Sequence, residues 1–357
     1  MNVNKIKRQL LKRHSKRKLT EKDFVSTGST MLNLACTDKP YRGFAKGYYY
    51  RIIGDSRSGK TFLALTCLAE AGVNKNFDNY RFIYDNGERG AMMDIARFFG
   101  EAVEQRMEPP AKDKKGNPIY STTVEEFYYH LDDACKQDKP FIYIVDSESS
   151  LSSRKERKEF GESKMAHRGH KQISGSYGDG KAKINSAYLR LFINALQKSG
   201  SILIVISQTR SRYDGTGKAV AGGWALLFYA GLEIWSSVKE DIFKTIRGKK
   251  RLQGVLCKIR VKKNRITGKD RLITLPIYTS HGIDDIGSCV DYLISEKHWT
   301  KSGFNVIASE FDFEGKKEKL IQHIEREGME KDLRELVGDV WSDIEKRSEV
   351  RRKKRYK

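Results

Sequence analysis

The stretch YYYRIIGDSRSGKTFLALTCLAEAG, residues 48–72, constrains the fold of this chain more than any other. An apolar run of strand length ends at Gly54, a polar glycine-bearing loop follows, and a good helix-forming segment begins near Lys60. GDSRSGKT satisfies G-x-x-x-x-G-K-[ST] at Gly54, Gly59, Lys60 and Thr61. In that pattern the glycines let backbone N–H groups curl around phosphates. The lysine reaches the β/γ oxygens, the threonine hydroxyl ligates Mg²⁺, and the helix N-terminus adds its positive end. Asp55, Ser56, Arg57, Ser58 and Phe62 complete the expected nucleotide-binding stretch.

The strand-then-helix rhythm continues. RFIYD (81–85), FIYIVD (141–146) and SILIVIS (201–207) are further β-rich runs. Helical segments are expected after Lys60, around 90–104, around 123–137 and from about 183 to 199. Apolar runs each followed by a helix predict an α/β fold, its mainly parallel central sheet flanked by helices. GLEIWSSV, VLCKIRVKK and RLITLPIY extend the sheet, the last two facing each other across NRITGKD as a hairpin. The core is expected over 24–295, after a short basic N-terminal arm (1–23) in which Val3, Ile6 and Leu10 follow helical spacing. A small helical C-terminal region (296–357) follows it. There Leu333, Leu336, Val337, Val340, Trp341 and Ile344 share a face, and RRKKRYK forms a basic tail. Two stretches rich in Gly and basic residues, near 151–182 and 210–223, read as irregular loops past strand ends, where open α/β sheets place their ligands.

Lys and Arg number 68 against 46 Asp and Glu, a formal net charge of +22. Such an excess attracts polyanions, nucleic acid ahead of membrane. No apolar stretch approaches the roughly 18–20 residues that span a bilayer, and the N-terminus lacks the apolar segment of a secretion signal. The five cysteines contain no C-x-x-C pair and are expected to be reduced, mostly buried thiols in a cytoplasmic, DNA-associated protein.

A magnesium-triphosphate site needs a carboxylate at a second strand end, and Asp146 closes FIYIVD in the place where it would hold the metal's water shell. Hydrolysis also needs a group that orients or deprotonates water. Glu88, in FIYDNGERG, is the candidate, with Asp85 and Glu148 as rivals.

Taken in order, STGSTMLNLA, the phosphate loop, FIYDNGE, IYIVDSESSL, LIVISQTR, AGGWALLFYAG and VKKNRITG resemble the RecA-type strand-exchange recombinases, in a shortened, phage-like form of the RecA and UvsX family. The resemblance covers about residues 25–295. A phosphate loop alone marks only the broad P-loop class; the ordered set is far more specific. It implies a RecA-like P-loop ATPase core that takes ATP and Mg²⁺, forms filaments on single-stranded DNA, accepts double-stranded DNA and exchanges strands. DNA-dependent hydrolysis would occur at subunit interfaces.

By that resemblance Glu88 matches the catalytic glutamate, with one residue more between it and Asp85 than in some relatives. Gln208 matches the glutamine that senses the γ-phosphate. Lys263 and Arg265 match a basic pair that reaches the neighbouring subunit's nucleotide and joins Lys60 among the catalytic groups. The two irregular stretches match DNA-binding loops. Lys183 and Arg190, one on each side of the first turns of the next helix, match DNA-contacting residues, as do Gly222 and Gly223; Arg210 and Arg212 are further phosphate candidates. Trp224 replaces a usually polar residue and either stacks on a base or packs. The positions that hold adenine in relatives fall at Met92 and Ile95. A hexameric helicase motor on the same core, and an ATP-switched DNA-binding mediator, are the alternative readings.

Overall fold

Runs rich in β-branched and aromatic residues become the strands of one large sheet, and the helix-length segments between them cover its two faces. The computed structural model describes residues 19–90, 93–168, 180–211, 218–220, 222–353 and 355. The expectations for Val3, Ile6 and Leu10 lie outside the described residues. In chain order the principal elements are β1 (Tyr49–Gly54), α1 (Lys60–Gly72), β2 (Arg81–Asp85), α2 (Val124–Cys135) and β3 (Phe141–Val145). They continue with α3 (Arg154–Arg168), α4 (Gly180–Ser199), β4 (Ile202–Ser211) and α5 (Gly223–Tyr229). The long strands β5 (Leu232–Ile246) and β6 (Lys249–Asn264) follow, then β7 (Arg271–Tyr278) and α6 (Asp285–Ser295).

The sheet runs β7-β6-β5-β1-β4-β3-β2, edged by Gly282–Ile283 beside β7 and Met107–Glu108 beside β2. Neighbours from β5 through β1, β4 and β3 to β2 are parallel, whereas β5–β6 and β6–β7 are antiparallel. The parallel part is buried on both faces, which is why its strands read as continuous apolar runs. Successive residues point to opposite sides. Ile142, Ile144, Ile202 and Ile204 join the core beneath α1 with Leu63 and Leu68. Tyr143, Val145, Leu203 and Val205 join the core beneath α2 and α4 with Leu131 and Leu189. Each such fully buried aliphatic side chain contributes about 1.5–3 kcal/mol relative to exposure.

Several elements depart from the sequence expectation. The helix expected around 90–104 divides into Ile95–Phe99 and Glu101–Arg106 at Gly100, whose φ of 93° no α-helix accommodates. The first irregular stretch is not structureless: 154–168 forms α3. Ser153 Oγ accepts from the N–H of Glu156 at 3.1 Å, and the Glu156 carboxylate accepts from the N–H of Ser153 at 2.6 Å. This capping box and the i,i+4 pairs Lys155–Glu159 and Lys158–Glu162 stabilise a helix whose composition reads as loop. The second stretch is shortened from both ends, because β4 runs on to Ser211 and 218–220 returns antiparallel to it.

The C-terminal region is not wholly helical: a three-stranded antiparallel sheet (Thr300–Ser302, Asn305–Ala308, Phe313–Lys316) precedes α7 (Lys317–Glu327) and α8 (Glu330–Ser348). As expected, Leu333, Val337 and Trp341 of α8 are buried, and they pack on the α1-side core. Four cysteines are buried and Cys135 half-buried, all as free thiols. Among the described residues no helix is long and apolar enough to cross a membrane.

Candidate functional site

The phosphate loop sits where β1 meets α1, at the carboxyl edge of the parallel strands. Its two motif glycines are required by contact. A Cβ on Gly54 would strike the carbonyl oxygen of Ser236 on β5 and lie 2.5 Å from Ser58 Oγ. Gly59 has φ +76°, and a Cβ there would run into Ile277 of β7. Lys60 donates from Nζ to the Asp55 carbonyl, holding the loop closed. Burial pushes the Lys60 ammonium below its ordinary pKa, against the opposing pull of Asp146, Glu88 and Asp55. Ser56 is exposed and Arg57 forms a 3.4 Å ion pair with Asp241.

Thr61 Oγ1 donates to Asp146 Oδ2 at 2.7 Å, and the Tyr84 hydroxyl donates to the same oxygen at 3.1 Å. Burial holds the Asp146 carboxyl above the usual carboxylate range. A hydroxyl and a buried carboxylate, paired at a helix N-terminus, fit Mg²⁺, which takes one or two protein oxygens and fills its octahedron from water and phosphate. No cluster of three or more His, Cys, Asp or Glu side chains that could hold a metal occurs among the described residues.

The three candidate bases stand in different surroundings. Asp85 is buried, accepting from the Ser121 N–H at 2.8 Å and the Tyr143 hydroxyl at 2.8 Å, and burial raises its pKa. Glu148 is also buried, its Oε1 accepting from Asn185 Nδ2 at 2.9 Å. Glu88 is exposed beside the phosphate loop. Its Oε1 accepts from both Ser147 Oγ and Gln208 Nε2, and its N–H donates to the Asp146 carbonyl at 3.0 Å. Gln208, two residues before Arg210, therefore ties the carboxylate to the strand that enters the second loop. Thr209 adds a second tie, donating to Asp55 of the phosphate loop.

Of the expected DNA contacts, Lys183 and Arg190 are exposed on α4. Seven residues apart on one helix, they lie on the same face rather than on either side of its first turns. Arg210 lies in β4, paired with Ala219, and Arg212 falls outside the described residues. Gly222 and Gly223 have φ of +96° and +78°. A Cβ on Gly222 would meet Leu226 at 2.5 Å and the Glu148 carboxylate at 2.8 Å; one on Gly223 would meet Ala182 at 2.7 Å. The chain's own packing therefore demands both glycines. Trp224 is 73% exposed, its ring 6.2 Å from that of Phe228, so it is not a core residue.

Lys263 and Arg265 sit far from the phosphate loop of their own chain. Asn264 pairs with Leu232, and Leu232 with Tyr50, near the start of β1, whereas the loop leaves its end at Gly54. That is about 13 Å along the strands in addition to two strand spacings. Lys263 donates to the carbonyls of Leu227 and Phe228, and Arg265 to that of Phe228, so the pair caps the C-terminus of α5. Burial first, and Arg265 second, bring Lys263 down to about 8.

Of the two adenine positions the structure describes one. Met92 lies outside the described residues, and Ile95 packs half-buried against the core. On the other side, a cavity of about 350 Å³ is bounded by the loop, Phe62, Leu252, Val255, Ile277 and Tyr278. Phe62 belongs to the expected nucleotide-binding stretch, whereas sequence reasoning passed over Leu252, Val255, Ile277 and Tyr278 because they stand in strands with no motif. It also missed Asn185, a buried amide that joins Glu148 Oε1, the Gly222 carbonyl and the Tyr128 hydroxyl, each at 2.9 Å.

With this geometry in place, the chain is 29% identical over 280 residues to "Protein RecA" of Ehrlichia canis, covering 75% of this chain and 67% of that protein. To RecA of Azospirillum lipoferum it is 26% identical over 307 residues, 83% of this chain and 74% of the relative. The chain is similar to RecA proteins over most of its length. RecA of Anaplasma marginale is 29% identical over 304 residues, 82% of the chain and 72% of the relative. No protein-family model matches the chain. The crystal structure of the RadB recombinase superposes with a TM-score of 0.47 at 17% identity, covering 73% of this chain and 99% of that one.

Proposed function

We infer that this RecA-type chain is an ATP-dependent homologous-recombination protein that assembles along single-stranded DNA, accepts a duplex and exchanges strands. The observation that carries the reading is the contact of Gln208 with Glu88. One side chain joins the carboxylate beside the phosphate loop to the strand leading into the second loop, so nucleotide state and loop position share a mechanical link.

In this reading Lys60 and the loop N–H groups hold the ATP phosphates, and Thr61 and Asp146 hold Mg²⁺. When bound, Mg²⁺ neutralises charge on the phosphate oxygens. Glu88 orients the attacking water and takes its proton, Ser147 keeping the carboxylate in place. Leu252, Ile277 and Tyr278 receive the base in the adjoining cavity. Lys263 and Arg265, too distant for their own phosphate loop, serve the next copy in the filament, placing cations where charge develops on the transferring phosphoryl group. Reaching that nucleotide takes them from the α5 carbonyls, which couples hydrolysis to the helix behind the second loop. Lys183, Arg190, Arg210, Arg212, Gly222, Gly223 and Trp224 face the DNA, with contacts mostly to the backbone and an affinity that falls steeply with salt.

A strand-exchange assay with ATP and with a slowly hydrolysed analogue tests the reading. Joint molecules should form with both nucleotides, and product release should be slower with the analogue. DNA binding that ignores nucleotide, with no joint molecules under either condition, contradicts it.

A further inference from the structure

Lys263 and Arg265 flank a residue that faces the other way. Side chains alternate in extended chain, so where β6 ends the two cations point to the α5 carbonyls and Asn264 points to the helix Thr30–Thr37. Asn264 is buried, and its amide is fully engaged. Nδ2 donates to the carbonyl of Ala35 at 3.3 Å and to that of Cys36 at 2.9 Å, both in the last turn of that helix. Oδ1 accepts from the N–H groups of Ile266 and Thr267, each at 2.9 Å. Two carbonyls on one side and two N–H groups on the other admit one orientation of the amide. The last carbonyls of a helix have no partner within it, so this side chain joins the end of β6 to a helix terminus that requires donors.

The backbone is tied at the same place. The Arg265 N–H donates to the Gly231 carbonyl at 3.0 Å, and the Gly268 N–H to the Asn264 carbonyl at 3.1 Å. The far end of the turn is fastened to the same helix. Arg271 donates to the Leu34 carbonyl at 3.0 Å and pairs with Asp38 at 2.5 Å and with Glu345 of α8 at 2.9 Å. Lys263 and Arg265, in contrast, hold the carbonyls of Leu227 and Phe228 through their side chains. A fixed backbone beneath two long side chains sets how far each cation reaches.

We propose, resting on the reading that Lys263 and Arg265 serve the next copy, that Asn264 is their positioning residue. By fastening the end of β6 to the helix Thr30–Thr37, it fixes the point from which both cations reach the neighbour's nucleotide. Asn264 touches no phosphate itself and acts through placement. A displacement of about 1 Å in a group that stabilises a transition state lowers the rate about 10²-fold.

The test uses the full chain carrying N264D. Aspartate keeps the acceptor for Ile266 and Thr267 but sets a carboxylate oxygen against the two helix carbonyls, so the anchor is lost and the turn is kept. DNA-stimulated ATP turnover should fall about 10–100-fold in kcat, with the nucleotide affinity of single subunits unchanged. N264S, which adds no charge, is measured alongside and carries the test if the aspartate variant does not fold.

Mixed assemblies separate placement from damage. N264D is combined with an excess of E88Q, which keeps both cations and hydrolyses slowly at its own site. Turnover per N264D subunit should then recover most of its loss, because its intact site faces a correctly placed pair on the next copy. Unchanged turnover in both Asn264 variants overturns the proposal. So does a loss that E88Q does not repair, which would put the defect in the variant's own site or fold. The same mixing with K263A and R265A together reports on the underlying reading. No repair of that double variant removes the trans assignment and the role of Asn264 with it, whereas repair there and none for N264D removes the role of Asn264 alone.

Discussion

Asn185→Ala removes three hydrogen bonds from a place that solvent does not reach. The amide donates at 2.9 Å to the buried Glu148 carboxylate and at 2.9 Å to the Gly222 carbonyl, and it accepts from the buried Tyr128 hydroxyl at 2.9 Å. Two neutral bonds at about 1 kcal/mol each and one to a carboxylate at about 2 give a loss of about 4 kcal/mol. At about 2 °C per kcal/mol for a domain of this size, the thermal midpoint should fall by about 8 °C.

The loss is large because Glu148 Oε2 already lacks a partner among the described residues, so the substitution strands the whole carboxylate. Removing both partners should therefore cost less than the two single changes combined. Urea unfolding of Asn185→Leu, Glu148→Leu and the double variant should give a coupling of at least about 1.5 kcal/mol. ATP should also lose much of its effect on DNA affinity in Asn185→Ala, because Gly222 is no longer anchored. A loss below about 1 kcal/mol, or additivity within about 0.5 kcal/mol, would refute the reasoning that this amide holds the loop glycine to a structural carboxylate.

Glu88→Gln should lower the hydrolysis rate about 10²–10⁴-fold while nucleotide affinity and thermal midpoint hold, because the side chain is exposed; steady-state turnover and nucleotide titration check both. Replacing Lys263 and Arg265 together should leave nucleotide binding by single subunits intact and remove DNA-stimulated hydrolysis. Lys263 titrates near 8 in the free chain, and a neighbour's phosphates would raise that value, so assembly takes up a proton in the window between. ATP-dependent assembly, followed by light scattering, should weaken as the solution passes from about pH 8 towards about pH 10, and Lys263→Arg should flatten that profile. Trp224→Ala should weaken single-strand binding by about 1–3 kcal/mol and leave the thermal midpoint in place; unchanged affinity would mean that the ring does not stack.

The order of strands and helices is readable from the chain because local pattern governs it. Uninterrupted apolar runs belong to strands buried on both faces, and the glycine-lysine loop between β1 and α1 carries its own backbone chemistry. Local pattern misleads where charge obscures structure. α3 reads as a loop because its Lys, Arg and Glu residues are hydrophilic, although the same residues form its i,i+4 pairs. The reach of β5 and β6 is hidden by polar side chains that need no buried face.

The site required the tertiary structure, since solvent access depends on segments far apart in sequence. Asp85, Glu88 and Glu148 look equivalent on paper; Tyr143 and Ser121 enclose the first, Asn185 the third, and the second is left facing water. The separation of Lys263 and Arg265 from their own phosphate loop follows from strand register, which pairs Asn264 with Leu232 and Leu232 with Tyr50. Composition and motif specify which groups the chain possesses. Burial and register, properties of the folded sheet, decide which of them meet.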